Sequence, residues 1–259
     1  MSDSKDKLIE QVTGIVEKTY DDVVHPSAKS IGNTLSLVPR TVGVWLGKWE
    51  KWVINGEESI RLAAEAVHEK ASKIPEEKLT QPEQYVVIPA IQQLSYCYDS
   101  EELREMYANL LVSSMNLDTK LQVHPSFVDI IKQLTPDEAK LLKKLSKQEN
   151  YPLIDVNLNF PEGFYNILVH NFTDVGEDVC DCPGNIFSYL DNFERLKLIE
   201  ISHMEQLSND SYYESLKTHP EITRLMSQPV GEGQSFDIQK GMFKLTAYGK
   251  DFIKICLSS

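Results

Sequence analysis

The chain has 259 residues, 41% hydrophobic and 25% charged, enough for one large or two medium globular domains with sizeable cores. Its formal charge is -13 at pH 7, and residues 151–259, with 16 acidic against 8 basic side chains, carry most of it. Such a surface repels phosphate backbones, so nucleic acid is a poor default partner.

Four cysteines, Cys97, Cys180, Cys182 and Cys256, are too few and too scattered for a disulfide framework. The opening "MSDSKDKLIEQ" is charged and lacks the apolar core of a signal peptide, so a reducing cytoplasm is expected. In "DKLIEQVTGIVEKTYDDVV" apolar residues recur at spacings of three and four, an amphipathic helix that His25-Pro26 ends. Residues 27–54 then hold all three tryptophans. Trp45, Trp49 and Trp52 share one face if this piece is helical, which makes them candidate interaction residues. Tryptophan and lysine together also suit a membrane interface. Lys29, Arg40 and Asn33 interrupt the apolar run, leaving no window of about twenty apolar residues for a span.

"EESIRLAAEAVHEKASKIPEEKL" predicts a helix ended by Ile74-Pro75. "QPEQYVVIPAIQQLSYCY" predicts another, with Pro89 expected to kink or break it. Asp99 or Ser100 caps "EELREMYANLLVSSM", whose buried stripe is Leu103, Met106, Tyr107, Leu110 and Leu111. "VHPSFVDIIKQL" follows with an apolar face of Phe127, Ile130, Ile131 and Leu134. Thr135-Pro136-Asp137-Glu138 then reads as the capped start of a helix carrying Leu141, Leu142 and Leu145.

Beyond residue 150 the pattern changes. "YPLIDVNLNF" alternates as a half-buried strand does. "GNIFSYLDNFERLKLIEIS" predicts a helix to about Lys197 and then a strand. "MFKLT" predicts a strand and "AYGKDFIKIC" a closing helix, with "L-T-x-x-G" between them. This order resembles the end of a winged-helix domain. The candidate recognition helix, Asn185 to Lys197, sets Arg195 and Lys197 against Asp191 and Glu194, which gives no basic face for DNA.

The catalytic inventory is thin. Neither of the glycine-rich phosphate motifs G-x-x-x-x-G-K-[ST] and G-x-G-x-x-G is present, nor is H-E-x-x-H or G-x-S-x-G. "CDC" at Cys180–Cys182, with His170 ten residues earlier, lacks the second ligand pair of a structural zinc site. "VHPS" sets His124 two residues from Ser126, but nothing in the sequence supplies an orienting third group or an oxyanion site.

Five stretches together, "YDDVVHPSAKSIG", "IPEEKLTQPEQYVVIPAIQQLSY", "DSEELREMYANLLVSSMN", "VHPSFVDIIKQLTPDEAKLL" and "GMFKLTAYGKDFI", resemble the Abi-alpha (abortive infection alpha) family. The similarity spans most of residues 15–259, with the block 74–142 its specific part. "VHNFTDVGEDVCDCPGN" departs from it. The resemblance implies a role in bacterial phage defence and brings no catalytic residue set to carry over.

The expected fold is therefore mainly α: an N-terminal helical bundle over residues 1–134, then a C-terminal winged-helix-like α+β domain over 135–259. The expected function is a cytoplasmic, non-enzymatic abortive-infection sensor or effector that contacts a phage or host protein. No cofactor, metal or catalytic residue is assigned, and oligomeric assembly stays open. Two alternatives remain: a membrane-perturbing effector using residues 27–54, and a winged-helix DNA-binding regulator.

Overall fold

In the computed structural model the described residues are 73–257, preceded by Ser59, Leu62, Ala63, Ala66, Val67 and residues 69–71 of a helical stretch. They divide into two compact units. The first runs to Pro136 and takes back the chain from Lys254, and the second is Asp137–Ile253.

The described part of the first unit is mainly helical because its apolar residues recur at helical spacing and find one another. Ala63, Val67 and Ala71 are buried, and the Ser59 hydroxyl donates to Leu94 O at 2.5 Å. Helix α1 (Gln84–Leu94) runs unbroken through Pro89, and Val86, Val87, Ala90, Ile91 and Leu94 form its buried face. That burial offsets the missing proline donor, so of the kink or break expected from the sequence the break does not occur. Ser100 is the cap of α2 (Glu101–Ser114), accepting from Leu103 N at 3.2 Å. Glu101 and Glu102 follow in the first turn, where the helix dipole favours acids. Tyr107, fully buried on α2, donates to Val128 O in α3 (Ser126–Lys132).

In the second unit, α4 (Pro136–Leu145) buries Leu141, Leu142 and Leu145 as the sequence pattern predicts. Four strands follow: β1 (Asn150–Asn159), β2 (Tyr165–Phe172), β3 (Ile199–Ser202) and β4 (Ser235–Leu245). Helix α5 (Ile186–Arg195) precedes β3, while α6 (Ser211–Lys217) and α7 (Pro220–Met226) lie between β3 and β4. The chain closes with α8 (Ala247–Cys256). The sheet order is β2-β1-β4-β3, and every neighbouring pair is antiparallel. β1 and β4 form its spine, paired without interruption from Asn150↔Lys244 to Asn159↔Ser235. Pro152 is tolerated in β1 because β2 pairs with β1 from Ile154 onward, leaving that side of Pro152 without a ladder. One face carries an apolar core of Ile154, Val156 and Phe172 under Tyr213, Leu216 and Ile222.

This architecture corrects the expected fold class. The protein is not a helical bundle followed by a winged helix. Its four-stranded antiparallel sheet opens with the β1–β2 hairpin, and two helices separate β3 from β4 where a winged helix would place a short wing. The bundle expected over residues 1–134 rested largely on residues outside those described. The sequence missed β2 because Tyr165 to Leu168 are exposed in succession and show no alternation. It also shortened β4 to its buried end, since Met242 and Phe243 are buried whereas Ser235 to Lys240 are not.

The junction of β4 and α8 shows why "L-T-x-x-G" reads as it does. The Thr246 hydroxyl donates to Lys197 O at 2.6 Å and accepts from Gly249 N at 2.9 Å, while Thr246 N donates to Leu198 O. A Cβ at Gly249 would sit 2.0 Å from Leu198 O. Only glycine lets the helix start this close to the backbone. Gly249→Ala should therefore destabilise the protein by roughly 3 kcal/mol in denaturant unfolding. Gly184→Ala, where a Cβ meets nothing within 4 Å, should cost less than about 0.5 kcal/mol. Equal effects from the two would contradict this packing.

Candidate functional site

Trp45, Trp49 and Trp52, the interaction residues proposed from the sequence, lie outside the described residues. The other sequence candidates can be placed. His124 and Ser126 do meet, with Nδ1 2.5 Å from Oγ, and His124 Nδ1 also accepts from Ser126 N. His124 is exposed just ahead of α3 and Ser126, half-buried, is its first residue, so the pair serves as helix punctuation.

"CDC" is held by Asp137. Its Oδ1 accepts from Asp181 N at 2.9 Å, its Oδ2 from Cys182 N at 2.8 Å, and the Tyr189 hydroxyl donates to Oδ2 at 3.1 Å. Lys140 Nζ lies 3.6 Å from Oδ1. Burial pushes the Asp137 carboxyl up, yet these donors and Lys140 together hold it below its ordinary value. Glu138, also buried, accepts from Asn192 Nδ2 at 2.7 Å. The two acids that read as a capped helix start thus bind the loop and helix that follow β2. Cys180 is buried, and burial pushes its thiol up to about 11, which makes it a poor nucleophile and a poor ligand at neutral pH.

The arrangement of chemical interest lies on β1 and gave no local signal in the sequence. Between Ile154↔Phe172 and Val156↔Val169 the register of β2 gains a residue, so His170 and Asn171 together oppose Asp155. Asn171 has φ 56°, a left-handed conformation that asparagine tolerates, and its N–H donates to Asp155 Oδ1 at 2.8 Å. Asp155 is 2% exposed. Its second oxygen, Oδ2, lies 3.1 Å from His170 Nδ1 and 3.4 Å from His203 Nδ1. The two imidazoles stack with centroids 5.2 Å apart.

His203 follows β3, and Gly241 on β4 leaves room for it. A Cβ there would lie 3.2 Å from His203 Nδ1 and 2.6 Å from Leu153 Cδ1. The 3.4 Å contact is not aligned as a hydrogen bond, so His203 Nδ1 is buried without a partner, as are Asn157 Oδ1 and Asn171 Oδ1. Beside the cluster opens a cleft of about 500 Å³ lined in part by Leu168, His170, Phe187, Asp191 and Arg224. Among the described residues, Asp155, His170 and His203 form the group able to hold a metal ion, and neither cysteine of "CDC" belongs to it. His170 was visible in the sequence, but its partners are 15 and 33 positions away, where no spacing rule connects them.

Asp137 makes a pH-dependent prediction. A carboxyl held below its ordinary value in the folded state stabilises the fold above about pH 4 and loses that contribution as pH falls through the folded value. Asp137→Asn should cost about 2 kcal/mol at pH 7 in urea unfolding. The gap to wild type should narrow below about pH 4. A gap that stays constant across that range would show that Asp137 acts by shape alone.

No helix of the described residues is long and apolar enough to cross a membrane. No curated protein matches the chain. No solved structure matches it either. The abortive infection alpha family model matches residues 55–256, which takes in the described helices of the first unit, the whole sheet and the Asp155 cluster. The chain belongs to the abortive infection alpha family.

Proposed function

We propose that this protein restricts phage propagation in a bacterial host as a sensor or effector that works through protein contacts. The observation that carries the reading is family membership across residues 55–256. The surface is consistent with it. β2 is an edge strand of the sheet, and Tyr165, Ile167 and Leu168 on it are exposed, as is Phe164 just before it. Exposed apolar edges of this kind accept an extended segment of another protein, which supplies backbone hydrogen bonds and covers the side chains. The acidic balance of residues 151–259 favours a protein over a nucleic acid. Trp45, Trp49 and Trp52 remain the anchors proposed for residues 27–54, where tryptophans at an interface contribute roughly 2 kcal/mol or more each.

Phage challenge of a sensitive host tests this reading. Cells carrying the gene should release at least tenfold fewer progeny per infected cell than cells without it, and Ile167→Lys or Trp45→Ala should restore the burst at unchanged protein level. An unchanged burst with wild-type protein would refute the proposal. Co-sedimentation of wild-type protein with anionic liposomes, lost in Trp45→Ala, would replace protein contact by membrane perturbation through residues 27–54.

A further inference from the structure

We propose that Asp155, His170 and His203 form a binding site for one divalent transition-metal ion of the zinc class. The ion would clamp β2 to the segment that follows β3.

Donor chemistry comes first. Two imidazole nitrogens and one carboxylate oxygen suit zinc and its first-row neighbours, and they suit magnesium or calcium poorly, since those ions take oxygen shells. Spacing comes second. A tetrahedral ion with bonds of about 2.1 Å holds its ligand atoms roughly 3.4 Å apart. The two nitrogens lie 3.1 and 3.4 Å from Asp155 Oδ2, and the three ligand atoms all fall within 4.8 Å of one another.

The competing reading is an ordinary buried carboxylate paired with histidine. It accounts for Asp155 Oδ1, which accepts the Asn171 amide left out of the ladder by the bulge. It leaves His203 Nδ1 buried and unpartnered although a carboxylate oxygen lies 3.4 Å away. Buried polar atoms without partners are uncommon and call for an unseen ion or water. Two more, Asn157 Oδ1 and Asn171 Oδ1, belong to residues beside the cluster in β1 and β2. A cation accepted by both nitrogens and by Oδ2 removes the anomaly at His203.

Topology shows what the ion would do. β2 and β3 are the two edges of the sheet, separated by β1 and β4. At about 4.8 Å between neighbours, the edge strands of a flat sheet would lie roughly 14 Å apart. Yet the histidines contributed from these two sides stack at 5.2 Å. An ion between them would join the edges across one face of the sheet. The His170 side chain is 55% exposed, so the fourth position would face solvent, where water completes the shell.

The test uses the full-length protein stripped with a chelator. Titration with Zn2+ should show one equivalent bound and a rise in Tm. Co2+ should give the intense visible bands of a four-coordinate site, and Mg2+ should do neither. His170→Ala changes an exposed side chain and should fold. It should weaken zinc binding by roughly a hundredfold or more, because it removes a direct ligand where loss of an outer partner already costs 10–100-fold. His203→Gln should do the same, while Cys182→Ser should leave binding unchanged. Zinc binding absent from wild type, or equally strong in both histidine variants, would overturn the proposal.

Discussion

A carboxylate buried in the middle of a sheet has to be surrounded by donors or cations, and Asp155 imposes that condition on this fold. Its position on β1, the strand shared by the β2 and β4 ladders, puts it 2% exposed where an apolar residue would pack more cheaply. The chain answers with a bulge in β2. The bulge frees one amide, that of Asn171, and turns it onto Asp155, so the defect in the ladder and the buried charge satisfy each other. His170 and His203 close the other side, and Gly241 gives His203 the space to do so. Remove the carboxylate, and the bulge loses its acceptor while the two imidazoles lose what brings them together.

Asp137 does comparable work at the start of the same unit. It reads locally as a first-turn acid, yet it gathers the amides of Asp181 and Cys182 and the Tyr189 hydroxyl. Two buried aspartates thus hold the two ends of the 170–189 segment, one at the bulge and one at "CDC". The edge strand that enters this segment exposes apolar side chains, so the surface proposed for protein contact and the proposed metal site share β2.

Much of the helical part was legible because its signals are local. The Ser100 cap, Pro136 at the head of α4, the Leu141–Leu142–Leu145 face and the closing helix Ala247–Cys256 follow from capping chemistry and periodicity. Pro89 leaves α1 unbroken because the buried face of the helix outweighs one missing hydrogen bond, a tertiary effect that no local rule carries. The winged-helix expectation failed for a similar reason. β2 lacks alternation, and β4 owes its length to pairing with β1, which lies more than seventy positions away. The Asp155 cluster was illegible altogether. Asp155 reads as a polar residue in an alternating strand, and only the bulge and the curled sheet bring His170 and His203 to it.

Amide hydrogen exchange read by mass spectrometry, comparing wild type with Asp155→Ala, would show whether this carboxylate organises β2 and the segment after β3. If the carboxylate holds the bulge and gathers the histidines, protection should fall across residues 165–173 and 199–206, while α1 to α3 exchange as in wild type. Unchanged protection over β2 and the segment after β3 would mean that those elements hold their places without Asp155.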